Sequence, residues 1–301
     1  MVQARLLDEQ QAAPAPRHQH GGLELSRRLP GLISAAREVA ASVMHGVHGR
    51  RRAGVGETFW QFRPYTAGES AQRIDWRRSA RDDRLYVRER EWEAAHDIFI
   101  WIDRSRSMDY LSSLARQPKI DRALVLGLAC ADLLVRGGER VALAGLTRPR
   151  ASRDIVERLA QELLLDSSRA ELPPADALAP RAQAVLIGDF LSPASAVASA
   201  IEGMSARGAR GHLLMVADPV EESFPFEGHT EFVDTDSGRR LRAGAAQDYR
   251  ALYLLRLDQH RERIRASARS RGWSFAVHRT DRPASEALLA LRMRLEAGEA
   301  R

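Results

Sequence analysis

Asp103, Ser105 and Ser107 stand at alternate positions directly after the apolar run Phe99-Ile100-Trp101-Ile102. In an extended loop that spacing turns one carboxylate and two hydroxyls toward a common point. Such oxygens suit a hard divalent cation, Mg²⁺ or Mn²⁺, which takes a few protein oxygens and keeps several waters. A second acid must then come from another strand end. Asp189, closing Ala184-Val185-Leu186-Ile187-Gly188, is the first candidate, and Asp218, closing Leu213-Leu214-Met215-Val216-Ala217, is the second. Asp and Ser are also favoured helix N-caps, so the same residues have a purely structural reading.

These residues need a frame that delivers strand ends to one place. From Asp97 onward, short apolar runs alternate with amphipathic stretches. Strands are predicted at 97–103, 140–146, 183–188, 211–217 and 273–278, and helices at 119–136, 152–164, 194–207, 247–271 and 284–296. This order implies right-handed crossovers and a doubly wound, mainly parallel α/β sheet, whose carboxyl edge is where ligands bind. The stretch Phe232–Leu241 reads as an inserted hairpin, near 221–244, turning at Ser237-Gly238. Upstream, apolar positions Leu25, Leu29, Leu32, Ile33, Ala36 and Val39 recur at helical spacing, with a kink or restart expected at Pro30. Gly46, Gly49, Gly54 and Gly56 mark a loop, and residues 1–22, including His18 and His20, read as a disordered tail. The predicted division is a tail over 1–22, a helix and an Arg/Trp-rich unit over 23–96, and the α/β domain over 97–301.

Composition narrows the function classes. Apolar residues make up 44% of 301, enough for a sizeable core, yet no run approaches the roughly 18 residues of a membrane helix. The polar start, without an apolar leader region, and the single Cys130 point to a reducing, cytoplasmic setting and exclude an internal disulfide or a multi-Cys zinc site. Cys130 lies in an apolar helix and is expected to be an inert core thiol. The net charge of +6 comes from 46 basic residues interspersed with 40 acidic ones, which reads as a mixed solvated surface rather than a nucleic-acid footprint. No phosphate-binding Gly-x-x-x-x-Gly-Lys-Ser/Thr loop or Gly-x-Ser-x-Gly elbow is present. A phosphoryl-accepting Asp103 would need an acid two residues on, where Ser105 stands.

Between 57 and 92, Arg63, Arg73, Arg77, Arg78 and Arg81 are interleaved with Trp60, Tyr65, Trp76 and the acids Glu69 and Asp75. Arginine and aromatic stacking could bind nucleic acid. The favoured reading is an internal network in which Glu69 and Asp75 pair with arginines while Trp60 and Trp76 pack.

Two motifs carry a family resemblance. Asp103-x-Ser105-x-Ser107-Met108 resembles the metal-ion-dependent adhesion site of von Willebrand factor A domains. The block Arg63-Pro64-Tyr65, Gly68-Glu69, Arg73-Ile74-Asp75-Trp76 and Ser79-Ala80-Arg81 resembles the signature of the bacterial domain-of-unknown-function-58 family, in which it precedes a von Willebrand A-like domain. The resemblance covers about residues 50–295. It implies a non-enzymatic interaction module that works with a MoxR-type AAA+ ATPase in assembly, maturation or chaperone-like processes. Its metal set would be Asp103, Ser105, Ser107 and Asp189, with one position open for an acidic residue of the partner. The signature residues would form a partner surface. Three departures stand out: Arg106 where many adhesion sites have Gly, Glu69 where the family usually has Asp, and no well-placed Thr. Thr147, or Ser167 or Ser168 after the 152–164 helix, would have to supply that hydroxyl. The alternative is a metal-free scaffold of the same fold, with nucleic-acid binding behind it.

Overall fold

An amino-terminal strand, β1 (Val2–Leu6), and a long helix, α1 (Gly21–Val47), open the chain. Next come β2 (Phe59–Pro64), the short helix α2 (Trp76–Ser79) and β3 (Tyr86–Arg90). The remainder alternates: β4 (Asp97–Ile102), α3 (Lys119–Arg136), β5 (Arg140–Leu143), α4 (Ile155–Leu165), β6 (Gln183–Gly188), α5 (Ala194–Ala206) and β7 (Arg210–Ala217). It continues through α6 (Pro219–Ser223), β8 (Thr230–Asp234), β9 (Arg240–Ala243), α7 (Arg250–Ser270), β10 (Ser274–Arg279) and α8 (Ala284–Glu299). The computed structural model describes residues 2–6, 21–47, 59–66, 69–81, 84–90, 95–235 and 238–299.

Five strands form one parallel sheet in the order β10-β7-β6-β4-β5. Numbered by their own succession the order is 5-4-3-1-2, so chain direction across the sheet reverses between β4 and β6. That is the switch point of a doubly wound sheet, where a crevice opens outside the strands' carboxyl ends. The continuous apolar runs follow from burial on both faces. Along β4, Ile98, Ile100 and Ile102 enter one core with residues of α1, α3, α4 and α8, while Phe99 and Trp101 enter the other with residues of α5 and α7. The period of two along a strand makes this division.

Contacts divide the chain into one unit formed by the segments up to Gly46 and from His96 onward, and a second formed by Val47–Ala95. The amino-terminal helix therefore goes with the α/β unit, not with the Arg/Trp-rich segment as the sequence division has it. Its stripe of Leu29, Leu32, Ala36, Ala40 and Val43 is buried in the α/β core. The same burial explains why α1 runs as one helix through Pro30 instead of restarting there. Pro30 lies on the exposed face, and the buried stripe on the other face holds the turns on both sides of it.

The hairpin insertion is β8 paired with β9, and Gly238, at φ 71°, donates its N–H to the Asp234 carbonyl. The tail predicted to be disordered contributes β1, which pairs antiparallel with β8. Its His18 and His20, the loop residues Gly49, Gly54 and Gly56, and Ser237 lie outside the described residues. Cys130 is fully buried in α3, and burial pushes its thiol up to about 12, as an inert core thiol requires.

Candidate functional site

Asp103 follows β4 and Asp189 follows β6, and these neighbouring strands bring both acids to the switch point. Ser105 and Ser107 complete the loop, which closes into a single 3-10 turn over Arg106–Asp109. All four side chains are buried. The Ser105 N–H donates to Asp103 Oδ1 at 2.8 Å, the Ser105 and Ser107 hydroxyls lie 3.0 Å apart, and the Ser107 hydroxyl hydrogen-bonds Asp189. Asp103 Oδ2 is buried without a hydrogen-bond partner among the described residues. Burial, then the Asp189 carboxylate, pushes the Asp103 carboxyl up to about 8. Gly188 permits this approach: a Cβ there would meet Asp103 Cβ at 2.7 Å. Phe190, directly after Asp189, is held at φ 47°, and its carbonyl lies 2.7 Å from His260 Nε2. A bulky residue at positive φ is strained, and such strain gathers at sites that the surrounding fold over-determines.

Sequence reasoning missed the residue at the centre. Lys119, the first residue of α3, is 0% exposed. Its ammonium donates to Asp189 Oδ2 at 2.8 Å and to Glu221 Oε1 at 2.9 Å. Burial alone would lower its pKa, but the Asp189 and Glu221 carboxylates outweigh burial, and the net shift is upward. In return, despite burial, Lys119 holds Asp189 below the usual carboxylate range. Glu221 is raised, by burial first and by Asp189 as well, against the opposing pull of the Lys119 ammonium. A signal existed: a lysine in the first helical turn opposes the helix dipole and needs a carboxylate to hold it.

Asp218, the second candidate acid, caps α6 instead. Its Oδ1 accepts from the Val220 N–H at 2.9 Å and its Oδ2 from the Ser112 N–H at 3.1 Å, while Glu221 Oε2 accepts from the Asp218 N–H at 2.8 Å. This is a capping box on Asp-Pro-x-Glu, and it aims the other Glu221 oxygen at Lys119.

The proposed third hydroxyls stay elsewhere. Thr147 Oγ1 accepts from the Leu143 N–H at 2.8 Å and so serves the turn after its own strand. Ser168 is exposed, with its N–H on Asp166 Oδ1. The loop holding Ser168 is nonetheless tied to the site loop, because the Arg104 guanidinium donates to the Leu163 and Asp166 carbonyls, each at 2.7 Å, and to the Asp166 carboxylate. Arg106 is exposed and points no charge into the cluster.

The donor set expected for a divalent ion is thus assembled, but with an ammonium already on the carboxylate that the ion would use. Two cations on one buried carboxylate repel strongly at low effective dielectric. The described residues therefore do not fit a resident ion beside Lys119.

In the second unit, Arg63 donates to Glu69 Oε1 at 2.8 Å and the Tyr65 hydroxyl to the Glu69 carbonyl at 2.7 Å. Glu69 thus pairs with an arginine. Asp75 has no arginine side-chain partner among the described residues: its Oδ1 accepts from the Arg78 backbone N–H at 2.9 Å and caps α2. Arg78 instead lies over the Tyr86 ring at 5.0 Å and the Phe62 ring at 5.7 Å. The Ser79 hydroxyl links α2 to β3, donating to the Asp75 carbonyl at 2.8 Å and accepting from the Tyr86 N–H at 2.9 Å. Trp76 is 62% exposed, against the expectation that it packs: on so short a helix its ring leaves the buried side held by Ser79. Arg77 and Arg81 are exposed, and Gly68 and the side chain of Arg73 lie outside the described residues.

The family profile described as "Protein of unknown function DUF58" matches residues 61–263. The chain is similar to the crystal structure of a conserved hypothetical protein BatB from Bacteroides thetaiotaomicron, with 14% identity and a TM-score of 0.41 over 67% of this chain and 100% of that one. It is similar also to an aerotolerance-related membrane protein from Bacteroides fragilis NCTC 9343 carrying multiple mutations to serines, with 16% identity, a TM-score of 0.41 and the same coverage of 67% and 100%. No curated protein matches the chain. Among the described residues, no helix is long and apolar enough to cross a membrane.

Proposed function

The chain belongs to the DUF58 family, and on that premise we propose that it is a non-enzymatic interaction module of von Willebrand A-like design, working with a MoxR-type AAA+ ATPase, whose adhesion-type site is closed by an internal ammonium instead of a divalent ion. Lys119 carries the reading. A fully buried ammonium at 2.8 Å from Asp189 supplies the positive charge that Mg²⁺ would bring. A filled site leaves no open coordination position for a partner's carboxylate. The module then meets its partner through its surface, and the cluster keeps the β4 and β6 ends and α6 in place.

Metal titration of the purified chain tests this. The wild type is expected to show no rise in thermal stability with millimolar Mg²⁺ or Mn²⁺, whereas a ligand at 100 times its Kd would add about 2.7 kcal/mol. Lys119→Ala leaves Asp189 uncompensated and should lose about 3–5 kcal/mol, as broken buried pairs do. Millimolar Mg²⁺ should recover part of that loss by taking the vacated position. A metal-dependent rise in the wild type, abolished in Asp103→Ala, would overturn the metal-free reading. It would establish the Mg²⁺-bridged one, which the unpartnered Asp103 Oδ2 favours. Failure of the immobilised chain to capture a purified MoxR-type ATPase would remove the partner assignment.

A further inference from the structure

Among the described residues, β10 pairs with β7 on one side and with no strand on the other. The Thr280 N–H donates to the Ala217 carbonyl, whereas the Phe275 carbonyl accepts from the Arg294 guanidinium of α8 at 3.3 Å. Backbone groups alternate sides along a strand, so Phe275, Val277 and Arg279 turn theirs outward. Such an edge is a template for another strand. A groove of about 350 Å³ runs along it, walled on one side by α8. Glu286, Ala290 and Arg294 line that wall, are exposed and recur every four residues, so they share one face of the helix. Arg294 stands level with Phe275, at the start of β10, and α8 therefore runs antiparallel to the strand. Four helical residues rise about 6 Å and two strand residues about 6.6 Å. Ala290 is then level with Val277, and Glu286 with Arg279. The edge carries a cation at one end, a methyl group at the middle and an acid at the other end.

We infer that a second copy of this chain docks on this edge, β10 antiparallel to β10 about a two-fold axis at Val277, so that two five-stranded sheets become one. A two-fold interface must complement itself. Here Glu286 of each copy meets Arg294 of the other, and Ala290 meets Ala290 where the two helices approach. Neither charge is spent within the chain. Glu286 has no ion pair or side-chain hydrogen bond among the described residues. Arg294 reaches no carboxylate there, only the Ser274 hydroxyl and the Phe275 carbonyl, both at 3.3 Å, long bonds that an acid can displace. The other charges beside Glu286 are matched locally. Arg261 pairs with Glu222 at 2.6 Å, and Arg279 with Asp281 at 2.6 Å, an acid that Arg282 also attracts. His212 and His278, which line the groove as well, are pushed down to about 4 by burial and are neutral. An unrelated strand would find the same backbone groups, but an acid and a base equally far from Val277 are what a second copy requires. The inference is independent of the interaction-module reading and of Lys119.

Sedimentation velocity of the full chain over a range of concentrations tests it. A reversible dimer is expected, weakened by salt. Glu286→Arg and Arg294→Glu should each raise its Kd at least tenfold, because each sets like charges against one another. Mixing the two single variants should restore a dimer, since positions 286 and 294 are then oppositely charged at both contacts, and the double variant should dimerise alone. Val277→Pro removes the central outward N–H at an edge position that tolerates proline, and should abolish the dimer while circular dichroism stays that of the folded chain. A monomer at every concentration, a dimer that survives either charge swap, or no recovery on mixing would each overturn the proposal. Such a failure is separable from failure of the functional reading, because metal titration and ATPase capture do not use Glu286 or Arg294.

Discussion

Asp103 carries a testable proton. Its carboxyl is pushed from the ordinary carboxylate range up to about 8, by burial and then by Asp189. Between about pH 4 and 8 the folded chain keeps a proton that the unfolded chain has released. Stability from this group is therefore complete below about pH 4, falls as pH rises toward 8 and is level beyond it. The slope reaches at most about 1.4 kcal/mol per pH unit. Asp103→Asn stays neutral in both states and loses this dependence. Its stability relative to wild type should grow between pH 5 and pH 8 in urea denaturation. An Asp103→Asn penalty of equal size at both pH values would mean that the folded chain holds Asp103 ionised, with a cation on it.

At the scale of elements, the second unit separates structure from surface within one four-residue helix. Asp75 caps α2, so Asp75→Ala should destabilise that unit by about 1 kcal/mol. Trp76 is exposed, and Trp76→Ala should leave stability within about 0.5 kcal/mol of wild type. If the signature surface meets the ATPase, Trp76→Ala weakens capture severalfold while Asp75→Ala is rescued by lower temperature; equal capture by wild type and Trp76→Ala moves the contact off this helix. The elements themselves were legible because period is a local property. The run ending at Ile102 is apolar at every position, as a strand buried on both faces must be, and α3 begins and ends at the predicted 119 and 136. Pro30 misled because a local rule met a helix held by tertiary burial. The carboxylate pair was also legible, since Asp103 and Asp189 each follow an apolar strand. Lys119 left only the signal of a cation in a first helical turn, which does not say which acids hold it; the sheet order brings Asp189 and Glu221 to it.

Taken whole, the chain is a doubly wound sheet whose switch point is stitched by a side chain from the start of its first crossover helix, with a separate small antiparallel unit. The stitch has a kinetic consequence. Lys119 joins Asp189 across 70 residues and Glu221 across 102, so loop closure over those spans must precede any gain from either contact. Such contacts are expected to form late, after the barrier to folding has been crossed. Weakening the stitch with Lys119→Met should therefore leave the refolding arm of the chevron nearly unchanged and steepen the loss on the unfolding side: by RT ln k, each 1.4 kcal/mol lost speeds unfolding about tenfold. A refolding rate that falls with stability would instead put the switch point in the nucleus. On the late-forming picture, one buried ammonium sets how long the folded state lasts rather than how quickly it is reached.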